Sequence, residues 1–460
     1  GCNDHACRIA ENCGARRYIL DHDRASADHG AFTNSNAGKN GSIAYTDMLI
    51  TDNGNGGPNV AILLKDISNT GSSERILDNN LTKFFSPRYS ANGRQLTATG
   101  PLEVSGTSLA NIYVMNADGT NPVNVTNIQS VDFPDRQNYA AAFSSFHPSG
   151  TKLTYATIWE EDDGNGGFIK VNRINTINAD GSGQQQLTAP PAGTCDTYPV
   201  FSPDGNRIAF MRGQDNTTNA GIYTMNADGS DLHQIVALST AGFNCAASDE
   251  IFYMGLTPSS FAVDGYQPSS LDWSPDGTHI AYSEGTKMSN GTVDTLLDSI
   301  YVTDLSGNKH LVRQVSGSFD ESLIQSPPDS QPPELQLDSM VGVQYTPDGR
   351  LIFKTLQYST RYIYSEGSTQ WEPDQSSATM KSTIAMIKTD GSDLQKILDG
   401  GTVVGGLANY QLYVHMLPTV QPLTAPQLSL ASTGQNQIQA YTLVTILLAI
   451  PVVGYFVKRR

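Results

Sequence analysis

An all-β chain is predicted: a six-bladed β-propeller of four-stranded antiparallel blades, followed by a C-terminal transmembrane helix. Two hairpin turns alternate along the 460 residues, and the glycines of the first of them, Gly41, Gly93, Gly150, Gly205, Gly277 and Gly349, are 52, 57, 55, 72 and 72 residues apart. Charged residues make up 16%, against about 25% in an average globular chain, which disfavours long solvated helices.

The first turn reads YSANGRQLTA from Tyr89, FHPSGTKLTYA from Phe146, FSPDGNRIAF from Phe201, WSPDGTHIAY from Trp273 and YTPDGRLIFK from Tyr345. In SPDG, Pro presets φ, Asp tolerates the bridge region and Gly takes the left-handed residue that joins a type I turn to a bulged hairpin. The second turn follows each time, as in NIYVMNADGTNPVNVT, RINTINADGSGQQQLT and GIYTMNADGSDLHQI, then SIYVTDLSGNKHLV and TIAMIKTDGSDLQKI. An earlier copy reads KNGSIAYT and NVAILLKDISNTGSSERIL, making six units. The apolar runs between turns, such as IAF and IYTM, are too short for helices and fit strands. Four strands at this period make a blade. Seven blades is the alternative count, completed by Val403 to His415.

An aromatic residue, SPDG, IAF, IYxMNADG and LT in succession resemble the TolB-like propeller repeats, also called PD40 or WD40-like repeats. The resemblance runs from about Asn36 to Ile397 and is cleanest at Phe201 to Ile235. It implies a propeller engaged in protein–protein contact. That family's partner-binding N-terminal domain is not evident here.

Four segments follow from this reading: a Cys-containing N-terminal segment, 1–35; the propeller, 36–416; a Pro- and polar-rich stalk, 417–434; and a membrane anchor, 435–460. Tyr441 to Val457 carry no charge and precede Lys458, Arg459 and Arg460. As a helix they would span about 26 Å, near the short limit for a bilayer, with the basic tail cytoplasmic. Leu430, Ala431, Ser432, Thr433 and Gly434 read LASTG. Pentapeptide, spacer, apolar run and basic tail together resemble the cell-wall sorting signal cut by sortases, which implies cleavage between Thr433 and Gly434. Ala431 stands where the commonest form has Pro, and a plain single-span anchor is the alternative. Gly1 in place of Met fits either a removed export signal or a chain trimmed in another way, and export agrees with the C-terminal pattern. The expected location is therefore extracellular, with the C-terminus fixed to a bacterial wall or membrane.

Five cysteines suit an oxidising compartment. Cys195 and Cys245, both in connections between repeats, are the expected disulfide. Cys2, Cys7 and Cys13 leave several pairings open.

Net charge −17, from 28 basic and 45 acidic side chains, argues against nucleic acid as a partner. The chain has no GxSxG elbow, no HExxH and no HxH among its eight histidines. His147, in place of the SPDG serine, reads as a turn residue. DNGNGG, 52–57, and Asp162 to Gly167 alternate carboxylates and amides with glycines, so Asp162, Asp163 and Asn165 could offer oxygens to calcium, the single cofactor considered. Without the distal Glu of a full calcium loop, a plain hairpin is the competing reading. These features point to a binding or scaffold protein that recognises a protein or an envelope or extracellular glycan. A polysaccharide-acting lyase or hydrolase and a surface-layer subunit are the rivals.

Overall fold

The computed structural model describes residues 42–49, 59–66, 75–76, 84–100, 110–128, 137–214, 219–238, 245, 270–289, 293–320, 334–364, 371–374, 377, 379–404 and 419–420. Every regular element among them is a β-strand.

The strands fall into six consecutive antiparallel units. The first holds β1 (Ser42–Leu49), β2 (Asn59–Asp66) and β3 (Arg75–Ile76). In the second are β4 (Phe85–Tyr89), β5 (Gln95–Gly100), β6 (Asn111–Asn116) and β7 (Val123–Asn124). The third comprises β8 (Gln137–Phe146), β9 (Lys152–Asp162), β10 (Phe168–Asn178) and β11 (Gln185–Gln186). The fourth has β12 (Thr194–Phe201), β13 (Arg207–Gln214), β14 (Ala220–Asn226) and β15 (His233–Leu238). The fifth has β16 (Leu271–Trp273), β17 (His279–Ser289), β18 (Val293–Asp304) and β19 (Lys309–Asp320). In the sixth, β20 (Glu334–Tyr345), β21 (Leu351–Ile363), β23 (Thr379–Ile387) and β24 (Gln395–Val404) pair in order, and the short β22 (Glu372–Pro373) pairs with the end of β21.

Among the described residues the first unit has no leading strand of its own. A late strand, β25 (Thr419–Val420), supplies it, with Ile43 opposite Val420 and Ala44 opposite Thr419. Thr419 and Val420, within the stretch read as a stalk from residue 417, pair in this ladder. Val403 and Val404, at the start of the stretch that the alternative seven-blade count uses, end β24 opposite Met380 and Thr379. Residues 405–415 lie outside the described residues.

Both turns form as their sequences dictate. The first-turn glycines Gly93, Gly150, Gly205, Gly277 and Gly349 have φ from 64° to 83°. The turn aspartates bind locally: Asp276 accepts from Ser274 Oγ at 2.6 Å and Thr278 N at 3.1 Å. These bonds hold its carboxyl down at about 2. Second-turn glycines carry a further constraint. Gly307 has φ 86°, and a Cβ there would sit 2.6 Å from the Ile235 carbonyl oxygen of the preceding unit. Gly164, in the β9–β10 hairpin, has φ 76° but nothing within 4 Å of a Cβ. Gly307→Ala should therefore cost about 2 kcal/mol or more, strain plus clash, and Gly164→Ala about 1 kcal/mol from strain alone. Denaturant midpoints check this, and equal losses would refute the interunit contact as the reason for the glycine.

Because neighbouring strands alternate in direction, both tight turns of a unit lie at one end, the turn end. The connections between second and third strands lie at the other, the hairpin end. Parts of the segments Gly317 to Val341 and Tyr358 to Ser382 prolong the ladder: β19 runs to Asp320, β20 begins at Glu334 and β21 reaches Ile363. Alternating apolar and β-branched residues there continue the pairing past the length of a minimal unit.

The leading strands share a device the sequence does not announce. Ser86, Phe143, Tyr198 and Gly342 have φ of 53°, 58°, 54° and 72°. Each lies three residues before a turn aromatic, Tyr89, Phe146, Phe201 or Tyr345, where the register shifts by a bulge. Holding a non-glycine residue left-handed costs about 1–2 kcal/mol. Packing offsets it: the Phe143 and Tyr198 rings lie 4.2 Å apart, both buried. The core runs between units, as in the cluster of Phe143, Tyr198, Phe210, Trp273 and Tyr282.

Candidate functional site

The leading strands β4, β16 and β20 meet at one place. The residue just before the turn aromatic is Arg88 in the second unit and Asp272 in the fifth. Arg88 Nη1 donates to Asp272 Oδ1 at 3.1 Å, and its Nη2 donates to the Leu271 carbonyl at 3.1 Å. The Tyr345 amide donates to Asp272 Oδ2 at 2.9 Å. Burial pushes the Asp272 carboxyl above its usual range, against the pull of Arg88 and that amide. This cluster binds residues 184 positions apart. Its signal lay in the repeats: the same position holds Ser145, Val200 and Gln344 in other copies, so one cation and one anion stood out.

Two carboxylates elsewhere are buried. Asp196 on β12 is bound by Arg212 on β13 in a fork, Nε to Oδ1 at 2.6 Å and Nη2 to Oδ2 at 2.8 Å. The Arg212 guanidinium also lies over the Phe210 and Tyr223 rings, at 5.5 and 5.3 Å. Burial raises the Asp196 carboxyl, opposed by Arg212. Asp298 on β18 accepts from Ser339 Oγ at 2.7 Å and Met340 N at 2.6 Å, both on β20 of the next unit. Burial pushes it up to about 7.

Asp298 has a structural counterpart in Ala110, each nine residues before its second-turn glycine. At that earlier junction the Ala110 backbone carbonyl accepts from Ala141 N at 2.8 Å. A side-chain carboxyl thus takes the place of a carbonyl between the fifth and sixth units.

The residues expected to offer oxygens to calcium are placed in the β9–β10 hairpin. Asp162 Oδ1 accepts from Gly164 N at 2.7 Å, and Asp163 Oδ1 accepts from Asn165 N at 2.7 Å and Gly167 N at 2.9 Å. Those amides hold the Asp163 carboxyl below its usual range. These bonds lie within the hairpin turn, and among the described residues no group of three His, Cys, Asp or Glu is placed to hold a metal ion. His147 bonds Ser149 in its own turn, Nδ1 to Oγ at 2.8 Å, and burial lowers its pKa.

Cys195, near the start of β12, is joined to Cys245, with Cα atoms 5.6 Å apart. The sorting motif Leu430, Ala431, Ser432, Thr433 and Gly434 lies outside the described residues, as do Cys2, Cys7, Cys13, DNGNGG and the apolar run 441–457. Among the described residues no helix is long and apolar enough to cross a membrane.

No family model matches the chain, and no curated protein matches it. Among solved structures it is similar to TolB from Acinetobacter baumannii, with 14% identity and a TM-score of 0.41 over 83% of this chain and 66% of that one. It is similar also to a putative TolB from Agrobacterium tumefaciens, at 13% identity and TM-score 0.39, over 84% of this chain and 99% of that one. A third likeness is to an oligogalacturonate lyase from Vibrio parahaemolyticus, at 12% identity and TM-score 0.38, over 74% of this chain and 73% of that one.

Chemically, the place where the leading strands meet is a tie. Its one carboxylate is neutralised by Arg88 and a backbone amide, and the forked pair Asp196–Arg212 is likewise committed. At the hairpin end Asp162, Asp163 and Phe168 are exposed to solvent.

Proposed function

We propose that this chain is a surface-anchored, six-bladed TolB-like propeller that binds a protein or glycan and carries out no reaction on it. The count of six is supported by β25, which pairs with β1 in the place of a leading strand of the first unit. Arg88–Asp272 is the observation that carries the binding role. An enzyme needs acid–base groups or metal ligands free to meet a substrate, and the Asp272 carboxylate is instead held by Arg88 and the Tyr345 amide, in an ion pair joining the second and fifth units. LASTG followed by an apolar run and three cations supports anchoring of the C-terminus.

One preparation of the protein from its native envelope tests both parts. Incubated with acidic and neutral polysaccharides, with and without calcium, it should release no new reducing ends. Product formation would overturn the binding role. Mass spectrometry of its C-terminal peptide should find either Thr433 carrying a wall fragment or an intact Arg460 in the membrane fraction; a soluble, uncoupled chain would overturn anchoring.

A further inference from the structure

The direction in which the chain leaves its last strand decides which end of the molecule faces outward. β25 runs antiparallel to β1, and Val420 lies opposite Ile43, near the start of β1. The start of β1 is also where β2 ends, with Ser42 opposite Asp66. Both mark the turn end of the first unit. The chain therefore departs toward the anchor from the turn end, with residues 421–440 between the last strand and the apolar run.

The opposite end carries the long features. The β9–β10 hairpin closes there through Asp163 N to Gly167 O at 3.0 Å. The Cys195–Cys245 bond ties a connection there. β17, β18, β20 and β21 reach toward it over 11, 12, 12 and 13 residues. At the turn end the described connections include tight turns such as those closed by Gly277 N to Ser274 O and Gly307 N to Asp304 O.

We propose that the protein is mounted with its turn end toward the cell and its hairpin end outward, so that it meets macromolecules lying beyond the cell's own envelope. This rests on the anchoring read above. A linker of 20 residues has a root-mean-square span of about 25 Å if flexible. β10 alone, at 11 residues, separates the two ends of the third unit by about 35 Å. Such a linker lets the molecule tilt, but the end that carries the tether stays on average nearer the bilayer than the opposite end.

The test uses the full chain in vesicles of phosphatidylglycerol and phosphatidylethanolamine containing a headgroup-labelled energy acceptor. A donor is attached through an azide-bearing residue placed at Asn165, in the hairpin, or at Gln184, just after the second turn of the same unit; both positions are exposed. Flotation first reports whether the chain is held by the vesicles. With the chain bound, donor quenching should be several-fold stronger at 184 than at 165. Equal quenching, or stronger quenching at 165, overturns the orientation and leaves anchoring standing. A chain that fails to float overturns membrane anchoring and the orientation built on it.

Discussion

Arg212→Met should lower the stability of the protein by about 3–5 kcal/mol, the range for leaving one member of a buried ion pair alone. Asp196 is wholly buried, and both of its oxygens accept from Arg212. Removing the guanidinium strands a carboxyl that burial has already pushed upward. It also removes the cation stacked on Phe210 and Tyr223. The double variant Arg212→Met with Asp196→Leu should recover most of the loss, because a matched apolar pair leaves no charge to desolvate. Urea unfolding of the four members of the cycle measures it. If Arg212→Met costs under about 1 kcal/mol, the pair behaves as a surface bridge and the account of Asp196 fails.

The second large effect is a loss of stability on the alkaline side. Asp298 has a carboxyl pushed up to about 7 in the folded chain, against about 4 unfolded. Between those values the folded state holds a proton that the unfolded state has released. Stability from this group is therefore complete below about pH 4 and falls as pH rises to about 7. Three units correspond to roughly 4 kcal/mol. Asp298→Asn keeps an oxygen for Ser339 Oγ and Met340 N and cannot ionise. Its stability should change little between pH 5 and 8, and at pH 8 it should exceed that of the unsubstituted chain. Unfolding of both proteins across that range decides the matter, and parallel pH curves would refute the assignment. The effect is local to the junction between the fifth and sixth units, since both donors lie on β20.

Most of the fold was legible because its determinants are short. SPDG and NADG place Pro, Asp and Gly where local φ values and Asx bonds require them, and a turn of four residues needs no distant partner to be recognised. The disulfide partners could be named from their place between repeats. Less could be read where the ladder continues past its minimum. Nothing in Gly317 to Val341 separates a longer strand from a loop until pairing partners are known, so the full lengths of β19 and β20 were not legible. The left-handed residues in the leading strands were also hidden, because Ser86, Phe143 and Tyr198 share no residue type; the bulge is imposed by packing against the neighbouring unit.

The candidate site divides along the same line. Alternation of two turns at a repeated spacing was enough to specify four-stranded all-β units, since each turn is encoded within ten residues. The union of Arg88 with Asp272, the replacement of a carbonyl by Asp298 and the loan of Thr419 and Val420 to the first unit depend on which units come to lie side by side. Those contacts join residues that are 184, 41 and some 375 positions apart, and repeated local signals are the same whichever copies meet, so the tertiary arrangement alone assigned these partners.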